Sequence, residues 1–257
     1  MAIVAPASPV RERVPPEEWA VREDLAAAYR LVAHYGWDDL IFTHLSARVP
    51  GGDHHFLINP YGMMFEEITA SSLVKIDLEG RKVDESPYPV NPAGFTIHSA
   101  IHEVREDAQC VMHLHTVDGT AVSVMEGGLL PLTQTAMAVH ADLAYHEYEG
   151  IALEADERPR LQRDLGERRA MLLWNHGTLT LGASVGEAFV RMYLLERACS
   201  MQVRMMAGPG LHRPPAGVAD KVAAQVADVS FDEVVVRQLA WPALRRMLDR
   251  RDPSYRS

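Results

Sequence analysis

The run Cys110-Val111-Met112-His113-Leu114-His115 constrains the fold more than any other part of the chain. It reads as a buried strand with Val111, Met112 and Leu114 inside. A buried strand needs cover, and the flanking segments carry helical patterns that can supply it. Pro16, Glu17 and Glu18 open a helix in which Leu25, Ala28, Leu31, Val32 and Tyr35 recur at helical spacing as far as Gly36. Residues 43–49 and 55–58 read as short strands around the Gly51-Gly52-Asp53 turn, and residues 73–78 as a hairpin arm leading into Lys82 and Val83. Helices are expected over 95–104, 120–125, around 161–165 and over 184–206, with strands at 145–148, 170–174 and 178–181. Such a mixture implies an α/β fold in which helices cover a sheet.

Four units follow along the chain: an extended proline-rich arm at 1–16, a main domain at 17–206, a linker at 207–217 and a C-terminal helical appendage at 218–257. Gly208, Pro209, Gly210, Pro214, Pro215 and Gly217 mark the linker, and the appendage is a candidate for packing on a neighbouring subunit. The 257 residues suffice for a substantial core. Two cysteines, Cys110 and Cys199, cannot build a disulfide scaffold. No signal peptide and no transmembrane run is apparent, so a cytoplasmic protein is expected, without a membrane partner. A net charge of −10 argues against nucleic acid as a partner.

The chemistry concentrates in a few of the 12 histidines. In a strand, residues i and i+2 face the same way, so His113 and His115 project together from one strand end. His176, in Trp174-Asn175-His176-Gly177-Thr178, follows another expected strand. Three neutral imidazoles that leave coordination positions open make a catalytic metal site. His98 and His102, four apart on a helix, share a face but lack the glutamate of a zinc-protease motif. Gly182-Ala183-Ser184-Val185-Gly186 matches a hydrolase elbow, yet the only later histidine, His212, lies in the linker. Ser184 with Glu187 reads better as a helix capping box. Lys75, Lys82 and Lys221 lie near charges or turns, which disfavours imine chemistry, and no phosphate-binding glycine loop is present.

Several segments together resemble the class II aldolase/adducin family over about residues 19–206. They are Gly36-Trp37 with Thr43 to Arg48, Ile58-Asn59-Pro60-Tyr61-Gly62, Ile68 to Asp77, Asn91-Pro92-Ala93-Gly94-Phe95-Thr96-Ile97-His98, Val111 to Thr116, and Asn175-His176-Gly177. The resemblance implies a three-layer α/β/α sandwich with a mostly antiparallel central sheet, and a homotetramer with sites between subunits. It implies that His113, His115 and His176 hold a divalent metal, zinc foremost, with manganese and iron next. Family aldolases carry a glutamate where this chain has Gly94, and phosphate-gripping serines where it has Pro92 and Ala93. The stretch from Asn91 to His98 is therefore closer to adducin and its bacterial relatives.

Three neutral ligands leave the full double charge on a divalent ion and favour an anionic oxygen ligand such as a 2-oxo or hydroxy carboxylate. The expectation is a metal-dependent lyase, of retro-aldol or decarboxylase type, acting on a small non-phosphorylated carboxylate or carbonyl compound. Arg48 is a candidate carboxylate partner, with Asn59, Gly62 and Gly94 as further substrate-binding positions. His98, Tyr145 and Glu147, with His146 beside them, are candidate proton carriers. Two other readings stand: a non-haem iron oxygenase or decarboxylase on the same scaffold, and a non-enzymatic adducin-like interaction protein.

Overall fold

The strand Cys110–Leu114 lies at the centre of a single seven-stranded sheet. The computed structural model describes residues 9–52, 54–151, 155–208, 210–227 and 231–257. Its strands are β1 (His44–Arg48), β2 (Phe56–Ile58), β3 (Val74–Ile76), β4 (Cys110–Leu114), β5 (Leu143–His146), β6 (Ala170–Leu173) and β7 (Gly177–Gly182). Their order is β3-β2-β1-β4-β7-β6-β5. Every pairing is antiparallel except β5 with β6. The helices are α1 (Val10–Arg13), α2 (Pro16–Tyr35), α3 (Pro92–Val104), α4 (Val117–Ser123), α5 (Gln134–His140), α6 (Arg158–Leu165), α7 (Val185–Met206), α8 (Val218–Val226) and α9 (Trp241–Arg251).

Alternation along β4 divides the molecule into layers. Val111 joins Leu179, Leu181 and Met171 in a core closed by Ile97 and Ile101 of α3 and Leu161 and Leu165 of α6. Met112 and Leu114 face the other way, into a core with Leu25, Tyr29 and Leu31 of α2 and Phe189 and Met192 of α7. On that second side α4 and α5 add Val122, Ala136 and Val139 against Leu172 and Leu195. The result is the expected three-layer α/β/α sandwich with a mostly antiparallel sheet.

Local signals place the helix ends. Gly36 adopts a left-handed conformation, φ 68°, and its N–H donates to Ala33 O, closing α2. At the start of α7 the Ser184 hydroxyl accepts from the Glu187 N–H at 3.2 Å, and the Glu187 carboxylate accepts from the Ala183 N–H. Ser184 is thus a helix cap. The Thr133 hydroxyl accepts from the Ala136 N–H and starts α5, a helix absent from the sequence reading.

The C-terminal segment packs on its own domain. Residues Phe231–Ala240 wind as a π-helix that runs into α9. Trp241, Leu248 and Tyr255 are buried with α2 and α7 in one core. The Trp241 indole N–H donates to Asp24 at 3.1 Å, and Arg245 reaches Asp24 and Glu23 at 2.7 and 2.9 Å. The appendage that the sequence offered to a neighbouring subunit is therefore held by this chain's own α2, whose acidic side chains Glu23 and Asp24 face it. Within the arm, Val10–Arg13 is helical; residues 1–8, like Asp53 in its glycine turn and Pro209 in the linker, lie outside the described residues. Both cysteines are free and buried, and burial pushes both thiols up. Among the described residues no helix is long and apolar enough to cross a membrane.

Trp241→Ala would remove a large side chain that is only 8% exposed. The expected loss is about 3–5 kcal/mol of unfolding free energy, measured by chemical denaturation, with faster hydrogen exchange in α9. A loss near zero would show that the segment is peripheral to the core.

Candidate metal centre

Strand register assembles the site. His113 stands opposite His44 on β1 and Leu179 on β7. His115, two residues on, leaves the strand end beside the β6–β7 turn that carries His176. Asn175 in that turn has φ +56°. A side chain at Gly177 would place its Cβ 2.5 Å from Leu114 O. Glycine there lets the turn lie directly on the end of β4.

The ligand atoms of His113, His115 and His176 all lie within 4.8 Å of one another. Nε2 of His115 is 3.0 Å from Nε2 of His113 and 3.0 Å from Nε2 of His176. The other ring nitrogens decide what these contacts are. His113 Nδ1 lies 3.0 Å from Thr178 O, a carbonyl that can only accept, so Nδ1 carries the hydrogen. His115 Nδ1 lies 3.1 Å from the Asp39 carboxylate and donates likewise. In neutral imidazoles both Nε2 atoms then hold lone pairs, facing each other at hydrogen-bond distance with no hydrogen between them. Neutrality is favoured: burial, and then the neighbouring His176, hold His113 well below the usual imidazole range. Burial and the His115 and His146 rings bring His176 to about 4.

This donor set fits a small divalent ion. Nitrogen ligands at 2.0–2.1 Å in a tetrahedron lie roughly 3.3 Å apart, close to the two observed spacings. The Thr178 carbonyl and the Asp39 carboxylate are the outer partners that ligating histidines require.

The remaining candidates are distributed unevenly. His98 is buried on α3, with Nε2 2.8 Å from His44 Nδ1, and the His44 ring centroid is 5.2 Å from that of His113. Gly94 is filled by a neighbour: a Cβ there would meet His44 Cδ2 at 2.6 Å. Arg48 sits at the far end of β1, donating to His102 O at 2.6 Å and lying over Phe56, and is not brought to the cluster. Asn59 is buried on the α2 side, its Oδ1 3.0 Å from the Tyr29 hydroxyl. Gly62 lies in an exposed turn with φ +108°.

Tyr145 stacks on Trp174, and its hydroxyl accepts from the Leu129 N–H, so it does not face the cluster. Glu147 is exposed beyond the end of β5. The neighbours of these two residues approach instead. Tyr148 has its ring centroid 5.6 Å from that of His176, and His146 is buried between Asp164 and Glu157 at 2.8 and 3.4 Å. The sequence reading missed Asp39, His44, Ser46 and Tyr148. For His44 and Ser46 a signal existed, since their spacing of two on a strand puts them on one face.

Seen together, the sandwich and the three imidazoles at the end of its central strand define an α/β/α protein with a histidine-lined candidate metal centre. The chain belongs to the class II aldolase/adducin family: the profile described as "Class II Aldolase and Adducin N-terminal domain" matches residues 23–203. A Caulobacter vibrioides protein, provisionally named an aldolase class 2 protein, is 53% identical over 252 residues, 97% of each chain. Mouse alpha-adducin is 45% identical over 196 residues, 75% of this chain but 26% of the adducin. A crystal structure of an aldolase II superfamily protein from Pseudomonas syringae shares 49% identity with a TM-score of 0.90, covering 97% of this chain and 100% of the other.

Behind the cluster, the Thr116 hydroxyl donates to Glu196 at 2.5 Å. Burial, and to a smaller extent Asp118, raise this carboxyl from 4.5 to about 7. A raised carboxyl binds its proton more tightly in the folded state, so the contribution is fully present below pH 4.5 and is lost as pH rises through about 7. Glu196→Gln should match the wild type at acid pH and exceed it by roughly 1–3 kcal/mol at pH 8, as read from paired denaturation curves. Equal stabilities at pH 8 would contradict the assignment.

Proposed function

We propose that this protein is a metal-dependent lyase that cleaves a carbon–carbon bond in a small, non-phosphorylated carboxylate or carbonyl compound. The observation that supports it most is the 3.0 Å approach of Nε2 of His113 to Nε2 of His115, with both Nδ1 atoms lying against acceptors on the far side. His113, His115 and His176 are the proposed ligands, with zinc foremost and manganese or iron next. A divalent ion bound there supplies a Lewis acid for the substrate's oxygens. Thr178 O and Asp39 hold two of the rings in orientation, and Tyr148 flanks His176. Pro92 and Ala93 occupy the places of phosphate-gripping serines, which favours a substrate without phosphate. The family likeness supports a homo-oligomer, a tetramer foremost.

Elemental analysis of protein purified without chelator tests the reading. About one equivalent of a transition metal per chain is expected, and the variant His176→Ala should lose it. Less than about a tenth of an equivalent in the wild type would overturn the metal reading and favour the interaction protein that the alpha-adducin likeness suggests. Turnover of hydroxy and oxo carboxylates under argon should equal turnover in air; a strict need for dioxygen would move the assignment to an oxygenase.

Asp39→Asn should weaken zinc binding about 10–100-fold, as is usual when an outer partner of a ligating histidine is removed. Competition against a chromophoric chelator measures this. An unchanged affinity would show that Asp39 does not orient His115.

A further inference from the structure

Beyond the three-histidine cluster lies a second set of buried imidazoles that the proposed function leaves unused. His44 and Ser46 share one face of β1, and His98 and His102 share one face of α3 opposite them. All four are buried. Their polar atoms form one continuous chain. His44 Nδ1 is 2.8 Å from His98 Nε2, His98 Nδ1 is 2.5 Å from Ser46 Oγ, Ser46 Oγ is 2.8 Å from His102 Nε2, and His102 Nδ1 is 2.9 Å from Ala108 O.

The last contact gives the chain its direction. Ala108 O is a carbonyl and can only accept, so His102 Nδ1 carries the hydrogen and Nε2 of the neutral ring is an acceptor. The Ser46 hydroxyl must then donate its one hydrogen to His102. Ser46 Oγ is left to accept, so His98 carries its hydrogen on Nδ1. His98 Nε2 is therefore an acceptor, and His44 must donate to it from Nδ1. Reversing any link sets two lone pairs against each other, or two hydrogens. Neutrality of the middle rings keeps the order intact. Burial, and then the Arg48 guanidinium, bring His102 to about 3, while burial and then His102 hold His98 well below the usual imidazole range.

We infer that His98, Ser46 and His102 are positioning residues that fix His44 as its Nδ1–H tautomer, so that His44 Nε2 meets a bound molecule only as a hydrogen-bond acceptor. The His44 ring lies beside His113, centroids 5.2 Å apart. It is also wedged against Gly94, where a Cβ would come within 2.9 Å of Nε2. Turning the ring over would break its Nδ1 contact with His98 Nε2. The ligand class follows: a molecule that places a hydroxyl toward His44 is accepted, and one that places a carbonyl oxygen there meets a second lone pair. This sharpens the proposed substrate from carbonyl or carboxylate compounds in general to hydroxy-bearing ones, and to that extent rests on the lyase reading. The tautomer itself does not.

Histidine-selective 15N NMR of the purified protein, recorded before and after loading with zinc, reads the protonated nitrogen of each ring directly. The expected result is a hydrogen on Nδ1 and none on Nε2 of His44 in both states. Ser46→Ala cuts the chain in the middle and should allow Nε2–H forms of His44 to appear, while the hydrogen on His102 Nδ1 persists. Calorimetric titration of the zinc-loaded protein with lactate and with pyruvate reads the consequence. The wild type should prefer lactate by about 2- to 10-fold, the range for one neutral hydrogen bond, and Ser46→Ala should lose that preference. A hydrogen on His44 Nε2 in the wild type overturns the inference with no variant needed, even if Ser46→Ala fails to fold. An equal affinity for the two acids overturns the ligand class. A failure to bind zinc refutes the lyase reading alone, because the tautomer is also read without metal.

Discussion

The 3.0 Å approach of two imidazole nitrogens, Nε2 of His113 and of His115, is the constraint on which the cluster depends. The arrangement would be repulsive in a protein interior, where a polar group without a partner is costly. It persists because each imidazole is anchored on its far side by an acceptor that cannot give way. Thr178 O belongs to the backbone of β7, paired across the strand end with Leu114, so the His113 anchor is part of the sheet. The His115 anchor, Asp39, comes from the loop after α2 and is partly exposed. One imidazole is thus held by rigid scaffold and the other by a surface carboxylate, and the second is the softer contact. The sandwich serves this end: two helical layers keep β4 dry enough for His113 to remain uncharged.

Much of the layering could be read in the chain because apolar alternation on a buried strand and helical recurrence leave independent traces. The three-histidine cluster was equally readable, since His113 and His115 show their common face by spacing and His176 sits at a glycine turn. What escaped reading depends on pairing between strands, which no local pattern contains. His44 became a neighbour of His113 only through the β1–β4 register. Gly94 looked like a missing carboxylate; in the structure it is the space that the His44 ring requires. The candidates Tyr145, His146 and Glu147 illustrate a different point. Neighbours on a strand have opposite parity, and a shift of one residue exchanges one face for the other. His146 and Tyr148 are the residues that approach. Arg48 had the right chemistry for a carboxylate but stands at the opposite end of its strand, where its guanidinium is taken up by His102 O.

The C-terminal residues show how composition can mislead about partners. Glycines and prolines marked residues 207–217 as a connector, and the helices beyond looked like spare surface. Yet Trp241 and Tyr255 complete the same core as α2 and α7. The acidic pair Glu23 and Asp24 on α2 receives Arg245, with Arg256 also reaching Glu23. An amphipathic tail and a charged helix face within one chain complement each other as readily as two subunits do.

The His113 ring hangs from a central strand whose neighbours on both sides are hydrogen-bonded at a fixed pitch of about 4.8 Å. The sheet therefore works as a ruler. A centre suspended from loops could widen to admit a large, oxygen-loving cation with six to eight ligands. This one cannot move His113 without breaking ladder bonds to both β1 and β7. In the proposed centre the sheet would thus fix one of the three imidazoles, while His115 and His176 ride on the segment and the turn that follow β4 and β6.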